Sequence, residues 1–233
     1  MEECKIENMY DLDQTIGADL FSGKTYPWEV LPEIGDFIRK LGPTLDSEKF
    51  DKINYDIWIA KSVSLPYFGE GENRVLSCTL KGPLIIDENT EVRPGAFIRG
   101  NVIVGKDCVV GNSTEIKNSV LFNHVQVPHY NYVGDSVLGY YSHMGAGSIT
   151  SNVKSDKTLV VVNDKNENEK IETGLKKFGA MLGNHVEIGC NTVLNPGTVV
   201  CPDTNVYPVS CVRGVIPAHS IYKTKDSVIR KKN

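Results

Sequence analysis

The stretch LIIDENTEVRPGAFIRGNVIVGKDCVVGNSTEI, residues 84–116, carries an aliphatic residue at every sixth position. These aliphatic positions are Ile86, Val92, Ile98, Val104, Val110 and Ile116. After two one-residue deletions and one long interruption, the same register continues at Leu121, Val127, Val133, Leu138, Met144, Leu182, Ile188, Leu194, Val200, Val206 and Val212. A repeat of six residues therefore governs the second half of the chain.

Apolar residues four positions apart also occur on amphipathic helices. A helix would need further apolar residues at i+7 and i+8, and it would not carry Gly, Pro or Asn in each turn. The 21 glycines and 11 prolines instead favour short strands with frequent turns. The repeat thus predicts a β-solenoid around an aliphatic interior.

The composition is that of an ordinary globular protein: 233 residues, 40% hydrophobic, 23% charged and a net charge of -4. It offers no global basic field for nucleic acid, and no apolar run approaches the ~18 residues of a membrane span. The acidic N-terminus has no signal-peptide pattern, so we expect a cytoplasmic protein with neither nucleic-acid nor membrane partners. The six cysteines contain no Cys-x-x-Cys pair and are interpreted as reduced thiols.

The repeat divides the chain into two parts. Residues 57–233 form the predicted β-helix domain, interrupted by an inserted loop at 150–178, which is the kind of excursion where sites are built. Residues 1–56 precede it, and residues 27–41 have the apolar stripe and the flanking Pro and Gly of a helix. We expect this segment to be a short N-terminal helical cap or extension. It could bind a partner or cover the site, and the cap is the default interpretation because a solenoid end exposes apolar surface and an unpaired strand edge.

Three repeats per coil would place residues eighteen positions apart in neighbouring coils. Arg99 and Lys117 are such a pair, and their stacking indicates either a phosphate site or two solvated cations. The same count places Arg93 on one face with His129 and Ala146. A basic patch containing a histidine is therefore predicted near one corner of the solenoid.

His129 has the side chain best suited to proton transfer near neutral pH, although a lone histidine is often structural. His124 precedes it with a His-x4-His spacing that invites comparison with metal-dependent γ-class carbonic anhydrases. The Arg-Gly-Asp and Gln residues that flank the histidines of those enzymes are absent.

Four motifs make the repeats more specific: VRPGA at 92–96, TEIKN at 114–118, PHYNYVGD at 128–135 and GAGSITSN at 145–152. Over residues 84–223 they resemble the acetyltransferase half of the bifunctional N-acetylglucosamine-1-phosphate uridyltransferases, within the hexapeptide-repeat family. The whole chain is also similar to stand-alone proteins described as UDP-N-acetylglucosamine pyrophosphorylase-related. The Gly-rich nucleotide loop of the uridyltransferase half has no match, and residues 1–56 are too short for that domain, so we expect no uridylyltransferase activity.

The resemblance implies a mainly β fold, a left-handed parallel β-helix of triangular section with one repeat per face. It also implies homotrimers with sites between adjacent chains. The implied reaction transfers acetyl from acetyl-CoA, as co-substrate, to the amino group of a sugar phosphate such as glucosamine 1-phosphate, in UDP-N-acetylglucosamine biosynthesis. No metal is needed for this transfer.

Site residues follow from the resemblance position by position. The catalytic base is His129. The substrate-binding residues are Arg93, Lys117, Tyr132, His143, Asn152 and Lys157, the first two holding the phosphate. The acetyl-CoA channel is lined by Ala146, Cys190, Pro208 and Lys223.

Several positions depart from the family pattern. His143 replaces an Asn that contacts the sugar, Val153 replaces a Tyr beside acetyl-CoA, and Cys190 replaces a Ser. The loop before Lys157 is one residue shorter. The acceptor could therefore be a different amino sugar, or the acyl donor could differ. Two other functions also stay as alternatives: a non-catalytic sugar-nucleotide-binding or regulatory module, and a metal-dependent γ-carbonic-anhydrase-like enzyme.

Overall fold

The computed structural model describes residues 1–69, 71, 74–164 and 168–231 and confirms the predicted parallel β-helix, whose coils have three faces. The first face, the covered face, contains strands Ile57–Ala60, Leu84–Ile86, Val102–Val104, Ala180–Leu182, Thr198–Val200 and Val215–Ile216. The second, the histidine face, contains Glu91–Val92, Val109–Asn112, Gln126–His129, His143–Met144, Glu187–Ile188, Asn205–Val206 and Ser220–Thr224. The third, the tyrosine face, contains Thr79–Leu80, Phe97–Ile98, Ile149–Thr150, Val193–Leu194 and Cys211–Val212. Strands Glu115–Leu121 and Tyr132–Leu138 continue from the tyrosine face onto the covered face.

The register of the strands agrees with the six-residue count. Val92 pairs with Val110, eighteen residues later, and Val110 pairs with Val127, seventeen residues later, as the one-residue deletion requires. Met144 pairs with Ile188, so the coil that contains the insertion has 44 residues. The aliphatic repeat positions from Ile86 to Val212 are buried in the interior.

The covered face carries apolar side chains on its outside as well as its inside. In every coil the residue between two inward positions points outward. These outward residues pair in one column of Trp58, Ile85, Ile103, Val120, Val137, Met181, Val199 and Val215. All of them are buried. Strands that are apolar on both sides need a second layer to keep water away.

Residues 1–45, which we call the strap, provide that layer. Ala218 in a late coil donates its backbone N–H to Glu3 Oε2 at 3.2 Å. In the middle of the β-helix, Asn123 donates its backbone N–H to the Gln14 carbonyl oxygen at 2.9 Å. Gly42 at the far end of the strap packs against Trp58 in the first coil. The strap thus runs along the whole covered face and covers its outward apolar column.

The strap is built from short helices. Its α-helices are Ile6–Met9 and Ile34–Leu41, and its 3-10 helices are Glu2–Cys4, Leu12–Gln14, Ala18–Phe21, Pro27–Val30 and Gly42–Thr44. The helix predicted at 27–41 is therefore two helices. Pro27 begins the first of them, and both bury apolar residues against the covered face.

The remaining strands form hairpins. Phe50–Asn54 pairs antiparallel with Ile57–Ala60 and covers the edge of the first coil, and Ser227–Arg230 does the same for Ser220–Thr224 at the other end. Two hairpins project from the β-helix, Tyr67–Phe68 with Val75–Leu76 and Val161–Asp164 with Glu169–Glu172. The second lies in the loop predicted at 150–178, of which residues 165–167 are outside the described residues. All six cysteines are free, and no helix in the described ranges is long and apolar enough to cross a bilayer.

Candidate functional site

His129 lies at the end of a strand on an exposed edge of the β-helix. Strand Gln126–His129 runs along the histidine face, and Tyr130 turns the corner with φ of 36°. The His129 main chain is held by two bonds of 3.1 Å, from its N–H to Asn131 Oδ1 and from the Gly147 N–H to its carbonyl oxygen. Its imidazole is exposed and has no hydrogen bond or ion pair within the described part of the chain. The fold therefore positions the backbone of His129 and leaves its ring nitrogens available.

The residues assigned to the acetyl-CoA channel continue the same edge. One vertical column contains His129, Ala146, Cys190 and Pro208. Main-chain hydrogen bonds of 2.8 Å join Asn191 to Ala146 and Val209 to Cys190, so each coil is tied to the next along this edge. We call this column the His129 edge. Counting residues along the chain predicted this edge only as far as Ala146, because the inserted loop lies between Ala146 and Cys190 and has no six-residue period.

A cavity of about 480 Å³ opens beside the C-terminal coils, next to Pro208 at the end of the His129 edge. Its lining includes Pro208, Arg213, Tyr222, Lys223 and Lys225. Three basic side chains beside apolar walls suit a ligand that combines anionic groups with an apolar part.

A second group of polar residues lies on the tyrosine face and at its far corner, where two strands turn onto the covered face. The Asp135 cluster consists of Lys117, Asn118, Tyr132, Asp135 and Asn152. Asp135 is 4% exposed, and its carboxylate accepts from Lys117 Nζ at 3.1 Å and from Asn118 Nδ2 at 2.9 Å. Asn152 Nδ2 donates to the Asp135 carboxylate and, at 3.2 Å, to the Tyr132 hydroxyl oxygen. The structure thus brings together three of the predicted substrate-binding residues around one buried acid.

The Tyr132 phenol remains a neutral donor in this cluster. Burial raises its pKa above the ordinary value of 10, and the nearby Asp135 carboxylate raises it further. A neutral phenol, two amides and a paired ammonium and carboxylate are groups that recognise sugar hydroxyls by hydrogen bonds.

Arg93 and Arg99 are both paired with carboxylates. Arg93 makes two bonds to Glu91, of 3.0 and 3.1 Å, and Arg99 makes one of 2.6 Å to Glu115. Lys117 does lie in register with Arg99, but Glu115 and Asp135 neutralise the two cations separately. The phosphate site that the stacking allows therefore stays a prediction, and each cation has an acidic partner that the stacking alone did not identify.

The other predicted substrate residues lie apart from the Asp135 cluster. His143 is on the histidine face, and its Nδ1 is 2.9 Å from Glu187 Oε2. Lys157 is exposed in the inserted loop with φ of 59°, and no hydrogen bond or ion pair in the described ranges joins it to the other site residues.

His124 and His129 do not converge within the chain. His124 turns the corner before the histidine face with φ of 60°, and its ring stacks on Tyr141 at 4.4 Å between centroids. His129 lies at the other end of the intervening strand, about 16 Å away at the usual strand rise. Among the described residues, no group of three or more His, Cys, Asp or Glu side chains could hold a metal ion.

Sequence reasoning missed the role of Asp135. It stands within the quoted motif PHYNYVGD, seventeen residues after Asn118, and the one-residue deletion makes seventeen the length of this coil, so the count places Asp135 beside Asn118. The left-handed backbone of Asp135, with φ of 49°, places it at the corner where the side chains of Lys117 and Asn118 meet it. Asp is among the residues that adopt this conformation most readily.

We expect Asp135→Asn to lower the free energy of unfolding by about 2 to 3 kcal/mol, because it leaves the largely buried Lys117 ammonium without its carboxylate. Glu115→Gln removes the partner of the more exposed Arg99 and should cost less than about 1 kcal/mol. Urea unfolding monitored by circular dichroism measures both. Equal losses for the two variants would contradict a special role for the buried pair.

The fold and the repeat define this chain as a hexapeptide-repeat protein of the parallel β-helix class. Within that class the chain belongs to the family of the GMPPB C-terminal domain, whose model matches residues 80–216. The resemblance to acetyltransferase halves is also confirmed among relatives.

Two curated relatives illustrate this similarity. The bifunctional protein GlmU of Methanococcus vannielii is 30% identical over 209 residues, covering 89% of this chain and 48% of the relative. The bifunctional sugar-1-phosphate nucleotidylyltransferase/acetyltransferase of Sulfurisphaera tokodaii is 33% identical over 151 residues, covering 57% and 37%. The chain spans about half the length of the GlmU relatives it matches. Among solved structures, the acetyltransferase domain of PglB from Neisseria gonorrhoeae shares 14% identity at a TM-score of 0.40, covering 85% of this chain and 67% of that chain.

Proposed function

We propose that this protein is a cytoplasmic, CoA-dependent N-acyltransferase that acetylates the amino group of an amino sugar. The observation that carries the proposal is the exposed imidazole of His129, whose backbone is held at the end of the column of Ala146, Cys190 and Pro208, together with the Asp135 cluster on the neighbouring tyrosine face. One side offers an edge and a basic cavity for acetyl-CoA, and the other offers hydrogen bonds for a sugar. The relatives that are named for acetyl transfer support the same reaction class.

The chemistry requires one general base. The neutral amine of the sugar attacks the thioester carbonyl carbon, and a C–N bond forms. His129 takes the proton that the amine loses, a contribution typically worth about 10² to 10⁴ in rate. The C–S bond then breaks, and the proton passes from His129 to the CoA sulfur, so the products are the amide and the free thiol. No metal takes part in these steps.

Among amino sugars, the specific acceptor that we propose is a sugar phosphate such as glucosamine 1-phosphate. Arg93 is the better phosphate ligand, because its pair with Glu91 is partly exposed and such pairs contribute little stability. Lys117 is more deeply buried with Asp135 and is better suited to hold the sugar ring. Tyr132 and Asn152 share that role.

The proposed assembly is a homotrimer, in line with the family resemblance. The described part of the chain supplies no group that orients the His129 imidazole, and a neighbouring subunit would complete the site along the exposed His129 edge. The same observation favours the second candidate, a non-catalytic sugar-nucleotide-binding module, if no neighbour supplies that group.

Release of free CoA thiol tests the reaction directly. We expect the native protein with acetyl-CoA to release thiol in the presence of glucosamine 1-phosphate or another amino sugar, such as free glucosamine or a nucleoside-diphosphate-linked amino sugar. N-acetylglucosamine 1-phosphate, which has no free amine, is the matched control. The absence of thiol release with every amino sugar would contradict the enzyme and leave the binding module.

A further inference from the structure

The strap reaches the inserted loop through a pair of buried aromatic rings. Trp28 in the strap is 2% exposed, and Phe178 at the end of the loop is fully buried. Their ring centroids are 5.7 Å apart, and Tyr26 also stacks on Trp28, at 4.6 Å between centroids with an angle of 4° between the rings. Such packing fixes the position of Phe178 relative to the covered face.

Main-chain hydrogen bonds join Phe178 and its neighbour Gly179 to two residues of the Asp135 cluster. Its backbone N–H donates to the Asn152 carbonyl oxygen at 3.0 Å, and the N–H of Gly179 donates to the Asp135 carbonyl oxygen at 2.8 Å. A Cβ on Gly179 would lie 2.1 Å from the Gly134 carbonyl oxygen. The returning end of the loop is therefore pressed against the two residues whose side chains meet at the centre of the cluster.

We propose that the strap is part of the sugar-binding site and that Trp28 is a positioning residue, acting through Phe178 on Asn152 and Asp135. The proposal rests on the proposed function, since it concerns the sugar side of that site. A second contact agrees with it: the Met1 ammonium pairs with Glu169 in the hairpin of the same loop. The strap thus holds the inserted loop at two places.

The expected consequence is selective. Displacement of Phe178 moves the main chain of Asn152 and Asp135, and misplacement by about 1 Å can cost on the order of 10² in rate or affinity. The His129 edge is tied from coil to coil by its own main-chain bonds, without Phe178. Loss of Trp28 therefore weakens the binding of the sugar and spares that of acetyl-CoA.

The test compares Trp28→Leu with Phe21→Leu. Phe21 is an equally buried ring of the strap, but it packs on Tyr10 and Phe122, away from Phe178. We expect Trp28→Leu to raise the KM for the amino sugar about tenfold, with the KM for acetyl-CoA and kcat within twofold. Phe21→Leu should leave all three within twofold, and Trp28→Phe should restore the KM for the sugar.

Equal kinetic constants for Trp28→Leu and the native protein would overturn the proposal, as would equal changes in the two KM values. Hydrogen exchange at the amides of Phe178 and Gly179 provides a readout that does not depend on activity. We expect exchange to be at least tenfold faster in Trp28→Leu and unchanged in Phe21→Leu. If the native protein turns over no amino sugar, the proposed function fails, and hydrogen exchange alone decides whether the strap positions these residues.

Discussion

His129→Ala is expected to lower kcat for acetyl transfer by at least about a hundredfold, and by up to about 10⁴, while the KM for acetyl-CoA changes little. The amine must lose a proton as the C–N bond forms, and the imidazole of His129 is an exposed proton acceptor beside the corner at Tyr130. Initial rates of thiol release with saturating acetyl-CoA measure the effect.

His219→Ala is the matched control for this substitution. His219 is also an exposed corner histidine, with a side chain that is 67% exposed, but unlike His129 it has a carboxylate partner, since its Nδ1 is 3.5 Å from Asp203 Oδ2. It lies in the last coils, away from the His129 edge, and its loss should leave kcat within twofold. A His129→Ala protein with native kcat would remove the general base from the mechanism.

Ile103→Asp is expected to lower the free energy of unfolding by at least about 4 kcal/mol. Ile103 is fully buried in the outward column, and its Cδ1 would lie 3.3 Å from a Cβ on Gly17 of the strap. A carboxylate there would be buried in the apolar layer between the β-helix and the strap, and it would either remain desolvated or push the strap away from the covered face. Denaturant unfolding measures the loss of stability, and limited proteolysis of residues 1–45 detects release of the strap.

Val209→Asp provides the comparison for the buried substitution. Val209 is 80% exposed on the β-helix, so the same change of side chain should alter stability by less than about 0.5 kcal/mol. Similar losses for Ile103→Asp and Val209→Asp would mean that the outward column does not depend on the strap for its burial.

The sequence predicted only in part that the covered face is apolar on both its inside and its outside. Two adjacent apolar residues recur in every third repeat, and in Leu84–Ile86 and Val102–Val104 the residue before them is apolar as well. Continuous apolar strands are typical of sheets buried on both sides. The repeat therefore indicates that a second layer of protein must cover this face. It does not indicate which segment forms that layer, since the strap has no repeat and its apolar residues follow the irregular turns of short helices.

For the candidate site too, the repeat predicted some features and not others. Counting repeats was sufficient to place Arg93, His129 and Ala146 on one face, because the strand spacing makes sequence distance equivalent to position along the β-helix. The count could not pair His143 with Glu187, since the insertion lies between them and its path is not periodic. Nor could it show that Asp135 and Glu115 neutralise the cations, because side-chain pairs depend on corner geometry and rotamers.

The sequence by itself determined a β-solenoid with an aliphatic interior, because a six-residue period constrains the backbone locally and repeats that constraint along the chain. The resemblance to the hexapeptide-repeat family supplied the three repeats per coil and, with them, the position of His129 near a corner. Only the tertiary structure decided that residues 1–45 lie along a face, that Lys117 is held by Asp135, and that Trp28 reaches Asn152 through Phe178. These contacts join segments that are far apart in the chain and share no period, so they arise from packing and charge pairing in three dimensions.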